Sequence, residues 1–182
     1  MALCGIDEAG RGPIAGSLVM AGVILHQEVE GLRDSKVLSE KKREYLFDII
    51  KESSTYYIAQ FSAAQIDEMG ISKCLNLGLQ EIMQNIKSDD FLFDGNSTFG
   101  VSGLRTMVKA DAKIDEVSAA SILAKVTRDR EMIELASVFP DYGFEKHKGY
   151  GTAAHVEAIK KYGYCDIHRR SFRLKALEAT LF

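Results

Sequence analysis

An apolar run, Leu3 to Ile6, breaks off into Asp7-Glu8-Ala9-Gly10-Arg11-Gly12-Pro13, and a second apolar run, Ser17 to Leu25, follows it. Short apolar runs bounded by glycine and proline read as strands joined by a turn. The chain therefore commits early to a strand pair whose connection carries two acids and an arginine. Adjacent residues on a strand point to opposite faces, so Asp7 and Glu8 converge on one site only if the chain turns between them. Gly5 and Gly10 make such a turn possible.

Downstream, Ser39 starts a helix expected through about Lys51, and Tyr56 to Phe61 reads as a strand. Helical spacing returns from Ser72 to Ile86, and Phe91-Leu92-Phe93 is a short strand ending in the turn signal Asp94-Gly95. Leu104 to Val108 resembles one more strand, ending near Asp111. Val117 to Val138 has helical spacing and is closed by Pro140. A loop rich in glycine, lysine and aromatics follows, then a helix capped by Thr152 that ends near Tyr162-Gly163. Strands come early and helices late, with no repeat, so the expectation is one α/β or α+β domain over residues 1–182, helices packed on a mixed sheet.

Three places put carboxylates where a strand ends: Asp7-Glu8, Asp94 and Asp111. Each alone reads equally as a solvated turn residue or a helix cap. Together they offer hard oxygen ligands without a histidine or cysteine cluster, which suits Mg²⁺ or Mn²⁺ better than zinc. Four carboxylates gathered without a cation would raise one another's pKa, and a metal resolves that repulsion. Two such ions about 4 Å apart activate a water and stabilise the leaving oxygen of a phosphodiester.

The net charge of −3 argues against a protein that coats nucleic acid, but the charge is unevenly spread. Between Asp141 and Lys175 basic side chains outnumber acidic ones eight to four. Such a segment is either a solvated helical face or a phosphate-binding flank beside an acidic centre. No stretch reaches the roughly 20 apolar residues of a membrane-spanning helix, and the start reads as a strand rather than a signal peptide. A cytoplasmic protein is expected. Cys4, Cys74 and Cys165 lie far apart and suggest neither a disulfide framework nor a zinc site.

Nucleotide-loop readings of Gly5 to Gly16 fail on chemistry. As a P-loop, Gly12 would replace the metal-binding Ser/Thr, and Asp7-Glu8 would repel phosphates. As a dinucleotide fingerprint, the spacing is one residue too long and Pro13 interrupts the turn. What remains is either a strained hairpin turn or a loop whose glycines admit a ligand close to the backbone, with Arg11 inside it.

Gly5-Ile6-Asp7-Glu8-Ala9-Gly10-Arg11-Gly12-Pro13 closely resembles the opening motif of the ribonuclease HII family. Asp34-Ser35-Lys36 with Leu38-Ser39 resembles its second motif and Phe93-Asp94-Gly95-Asn96 its third. Lys109 to Asp111 with Ala119 to Asp129 (AASILAKVTRD) resembles its fourth. Tyr142-Gly143-Phe144, His147 to Thr152 (HKGYGT) and His168 to Phe172 (HRRSF) complete a match over nearly the whole chain. Ala110 stands where glycine is usual, and Ile114-Asp115-Glu116 is more acidic than typical.

The resemblance implies a ribonuclease-H-like fold, a mixed central β-sheet flanked by helices with a helical C-terminal part. It implies an endonuclease that hydrolyses the RNA strand of RNA/DNA hybrids and incises 5′ of single ribonucleotides in duplex DNA, leaving 3′-hydroxyl and 5′-phosphate ends. Catalytic and metal-binding roles fall on Asp7, Glu8, Asp94 and Asp111, with Mg²⁺ or Mn²⁺ as cofactor. Gly10, Arg11 and Gly12 would read the ribonucleotide, whose 2′-hydroxyl distinguishes RNA from DNA, and Tyr150 would stack on the next sugar. Lys36, Lys148 and Arg169 are candidates for phosphate contacts, with surface solvation the competing account. Lys125 would contact substrate, brace the acids, or lie along its helix. A monomer is expected, and Leu181-Phe182 is similar to the hydrophobic tail that docks on a sliding clamp, though an apolar helix end would look identical. Rival readings are a junction resolvase of the same fold, a nucleotide-binding phosphotransferase, and a noncatalytic nucleic-acid-binding module.

Overall fold

The computed structural model describes residues 2–32 and 38–178. Strands β1 (Leu3–Ala9), β2 (Leu18–Leu25) and β3 (Ser54–Phe61) form an antiparallel meander. β4 (Asp90–Asp94) returns parallel to β1, and β5 (Leu104–Met107) lies parallel to β4. The sheet order is β3-β2-β1-β4-β5, so β1 sits at the centre with an antiparallel neighbour on one side and a parallel one on the other.

Helices cover both faces. On one, α2 (Ala63–Met69) and α3 (Ile71–Asn85) bury Ile66, Leu75, Leu79 and Ile82 against Cys4, Ile6, Met20 and Phe93. On the other, α1 (Glu40–Glu52) and the long α4 (Asp115–Val138) bury Leu46, Ile50, Ala120 and Leu123 against Val19, Ala21 and Val23. A sheet covered on both sides explains why β2 is apolar along its whole length rather than alternating. α5 (Phe144–His147), α6 (Ala153–Tyr162) and α7 (Lys175–Glu178) enclose a smaller core around Ile14, Met132 and Phe144. Among the described residues no helix is long and apolar enough to cross a membrane.

Several helix limits follow from local chemistry. Ser39 caps α1 by accepting from the amide of Lys42, and Thr152 caps α6 by accepting from that of His155. The sequence reading missed α2, although its signal is present: Ser62 and Gln65 form a reciprocal capping box. α4 rides close on β1 because Gly5 has no side chain. A Cβ there would lie 2.3 Å from the backbone of Glu116 and Val117.

Candidate active site

The β1–β4 register sets Ile6 opposite Phe93, and the next residue on each strand is an aspartate. Ile6 and Phe93 pack on the α3 side, so alternation turns Asp7 and Asp94 together toward α4. The chain does not turn between Asp7 and Glu8. β1 continues through Ala9, with Asp7 paired to Ala21 and Glu8 to Met20, because β2 keeps offering ladder partners. Asp7 and Glu8 leave the strand on alternate sides, yet their carboxyls stay close enough to interact, and each also feels the charge of Asp94.

Asp94 organises its own neighbourhood. One carboxylate oxygen accepts from the amide of Lys109 and the other from that of Asp111, both at 3.0 Å. Lys109 adopts the left-handed conformation, φ 59°, which swings the chain into the 3₁₀ turn Ala110–Ala112 and brings Asp111 beside Asp94. Ala110 is buried with no exposed surface, packed with Leu92 and Val117.

The carboxylates are held in unfavourable company. Burial, then the charge of Glu8, pushes the Asp7 carboxyl well above its ordinary range, with Asp94 adding to the repulsion. Burial raises Glu8 as well, against the opposing pull of Arg11, whose guanidinium lies 3.8 Å away. Asp94 is raised by burial and by its contact with Asp111, its two accepted amide bonds working the other way. One oxygen of Glu8, Oε2, is buried and has no hydrogen-bond partner. A buried oxygen left without a partner among crowded hard donors is a group that a bound cation would satisfy. Among the described residues no three such side chains form a closed cage for an ion. Mg²⁺-like ions are commonly bound by one or two carboxylates together with water and substrate phosphate.

Beside the acids lies the loop from Gly10 to Ser17, built on two buried arginines. Arg128, 1% exposed, donates to the carbonyls of Ser17, Ala15 and Lys148 at 2.8–2.9 Å. Arg169, also 1% exposed, donates to the carbonyls of Gly16, Arg11, Gly10 and Ser17. Its expected place on substrate phosphates is therefore corrected: its donors are spent inside the protein, and it shapes the loop from beneath. Burial and the charge of Arg128 lower its pKa to about 10, so it stays cationic at neutral pH.

Gly10, at φ +88°, is obligatory on two counts. The left-handed backbone disfavours other residues, and a Cβ would fall 2.2 Å from Arg128 Nε. Arg11 and Gly12 are exposed, and among the described residues no hydrogen bond engages their amides. The Arg11 guanidinium sits 5.1 Å over the Phe99 ring.

Tyr150 is 45% exposed, its ring 5.8 Å from the Arg128 guanidinium. Lys148 is half-buried, with a left-handed backbone and its ammonium donating to the Glu145 carbonyl. Lys125 pairs with Asp129 at 2.7 Å along α4. Lys36, with Asp34 and Ser35, lies outside the described residues, as do Leu181 and Phe182. Arg128 was missed as a loop-organising residue, although it lies within the matched segment 119–129; nothing in the sequence says that an arginine late in a helix points inward.

A mixed five-stranded sheet with helices on both faces and carboxylates at the ends of neighbouring parallel strands defines the ribonuclease-H-like class. The family model for Ribonuclease HII matches residues 4–175. Ribonuclease HII of Sulfurovum sp. (strain NBC37-1) is 65% identical over 181 residues, 99% of this chain and 96% of that relative. Ribonuclease HII of Archaeoglobus fulgidus, solved in complex with PCNA, superposes with a TM-score of 0.84 at 30% identity, covering 96% of each chain. Bst-RNase HIII in complex with Mn²⁺ shares the fold at a TM-score of 0.71 and 16% identity, over 98% of this chain and 68% of that one. The chain belongs to the ribonuclease HII family, metal-dependent hydrolases acting on the RNA of RNA/DNA hybrids.

Proposed function

We propose that this chain, besides cutting the RNA strand of hybrids, incises duplex DNA 5′ of a single embedded ribonucleotide, leaving 3′-hydroxyl and 5′-phosphate ends. The observation that carries the reading is the juxtaposition of under-satisfied carboxylates with a glycine loop whose outer amides are unengaged. Asp7, Glu8, Asp94 and Asp111 would hold Mg²⁺ or Mn²⁺, the Mn²⁺ found with Bst-RNase HIII favouring such an ion. Bound there, the cation supplies an activated water and neutralises charge building on the phosphate. The chain's own part is placement. Asp94 fixes the turn bearing Asp111, and Gly10 to Gly12 leave backbone close enough to meet a 2′-hydroxyl. Arg11 lies near phosphate, and Tyr150 stacks on the sugar that follows. Lys36, Lys125 and Lys148 would contribute phosphate contacts that position the duplex without reading its sequence.

The 182 residues would act as one catalytic domain, a monomer in the cytoplasm serving ribonucleotide and primer removal. The PCNA complex of the Archaeoglobus relative supports a clamp contact through Leu181 and Phe182. The deciding experiment is cleavage of a labelled DNA duplex carrying one ribonucleotide, with Mg²⁺, Mn²⁺ or EDTA, beside all-DNA and long-hybrid controls and Asp94→Asn. Metal-dependent incision 5′ of the ribonucleotide, absent from all-DNA, is expected. Equal cutting of all-DNA would defeat the 2′-hydroxyl reading, and a fully active Asp94→Asn would defeat the carboxylate assignment.

A further inference from the structure

Three of the four histidines gather beneath the segment bearing Tyr150. The rings of His147 and His155 stack at 4.2 Å and 12°. His155 Nε2 lies 2.9 Å from His168 Nε2, a hydrogen bond that needs one proton between the two nitrogens. The outer nitrogens decide which ring carries it. His155 Nδ1 is 2.9 Å from the Tyr150 carbonyl, which can only accept, so Nδ1 bears a hydrogen and Nε2 accepts. His168 then donates from Nε2, while its Nδ1 accepts from the Cys165 amide at 2.9 Å. The result is a directional relay: Cys165 amide to His168, His168 to His155, His155 to the Tyr150 carbonyl.

Both rings are essentially inaccessible, walled by Phe144 and Tyr142. The relay also joins two separate regions. His168 bridges to Ala15, and its neighbours Ile167 and Arg169 exchange backbone hydrogen bonds with Gly16 and Ile14 of the glycine loop. At the other end, the Tyr150 backbone is fixed by bonds involving His147, Thr152 and His155, while its ring projects outward. Packing alone would have been served by apolar side chains; two mutually satisfied histidines instead set one register between the two loops.

We propose that His155 and His168 are positioning residues for substrate recognition, fixing the Tyr150 ring relative to Gly10–Gly12 through this relay. The proposal rests on the reading of Tyr150 as the residue that meets the sugar after the ribonucleotide. Neither histidine touches substrate; both act through Tyr150. His155→Phe keeps the ring and loses both hydrogen bonds. His168→Asn leaves an acceptor for the Cys165 amide and removes the donor to His155, together with the ring packed against Tyr142 and Phe144.

The test compares kcat/KM on the single-ribonucleotide duplex with kcat/KM on a long hybrid, for wild type, His155→Phe, His168→Asn, Tyr150→Ala and His155→Phe/Tyr150→Ala. The ratio should fall roughly 3- to 10-fold in His168→Asn, the effect of one lost hydrogen bond, and at least as far in His155→Phe, which loses two. The double variant should match Tyr150→Ala, since the histidine has nothing left to position. Nitrogen chemical shifts of the imidazoles should show His155 protonated on Nδ1 and His168 on Nε2. If Tyr150→Ala leaves the ratio unchanged, the reading of Tyr150 fails and the relay's purpose fails with it. If Tyr150→Ala shifts the ratio and the histidine variants do not, or if the effects simply add, the relay alone is refuted. Should His155→Phe not fold, His168→Asn decides the same question.

Discussion

The two halves of the site are built on opposite electrostatic terms. At the β1–β4 end, acids repel one another, burial and that repulsion raise their pKa values, and a buried Glu8 oxygen has no partner. At the glycine-loop end, two fully buried arginines and two buried histidines are satisfied bond for bond by backbone groups and by each other. One end is incomplete without a ligand; the other is assembled beforehand. The contrast teaches that instability gathers where the proposed reading needs metal and phosphate, and rigidity where it needs the sugar to be read.

The comparison breaks most visibly at Asp94. Asp94→Asn should lower kcat on the ribonucleotide duplex by on the order of 10³-fold, the several kcal/mol that metal-assisted charge stabilisation supplies. Part of that loss arises because an amide group must oppose two backbone N–H donors with one oxygen. Asp7→Asn, which faces a single backbone amide, is the cleaner control, and steady-state kinetics at saturating Mg²⁺ would separate the two.

Next in size is Arg128→Met. It strips the donor from the carbonyls of Ala15 and Lys148 and one of the two donors to Ser17. A loss of about 3–5 kcal/mol is expected from such a broken buried charged network, read by urea denaturation in EDTA. A stability within 1 kcal/mol of wild type, taken as a rough threshold, would show that the loop does not depend on its arginine.

The smallest effect sharpens the contrast through pH. Burial, with a cationic or imidazole neighbour adding, lowers His155 and His168 to about 4, so the unfolded state takes up their protons first. Their contribution to stability is complete above about pH 6.5 and is lost as pH falls toward 4. Asp7 has the opposite sign: its raised pKa means the folded state binds the proton first, so metal-free stability gains from it as pH falls. Asp7→Asn should therefore raise metal-free stability at pH 7 by about 1 kcal/mol, a Tm gain of roughly 2–4 °C. It should also steepen the decline between pH 6.5 and 4. Calorimetry in EDTA across that range would check both, and parallel profiles for wild type and variant would contradict the assignment of opposite signs.

Local chemistry made much of this molecule legible in its sequence. The strand, glycine turn and strand at the start, the helix start at Ser39, the cap at Thr152, and the acids at the ends of apolar runs depend on neighbours a few residues away, and the structure bears them out to within a residue or two. The family motifs in order named the fold. What the sequence left undetermined involves partners far apart along the chain. The parallel pairing of Ile6 with Phe93 brings Asp7 beside Asp94 without any turn between Asp7 and Glu8, because β2 extends the ladder from outside. Arg169 looked like a surface cation, yet it lies under a loop more than 150 residues away in sequence, held by carbonyls. Alternation and capping are set by the backbone a residue at a time. Which charges are buried, and against what, is settled only when distant segments share one interior, since burial is a property of the packed whole.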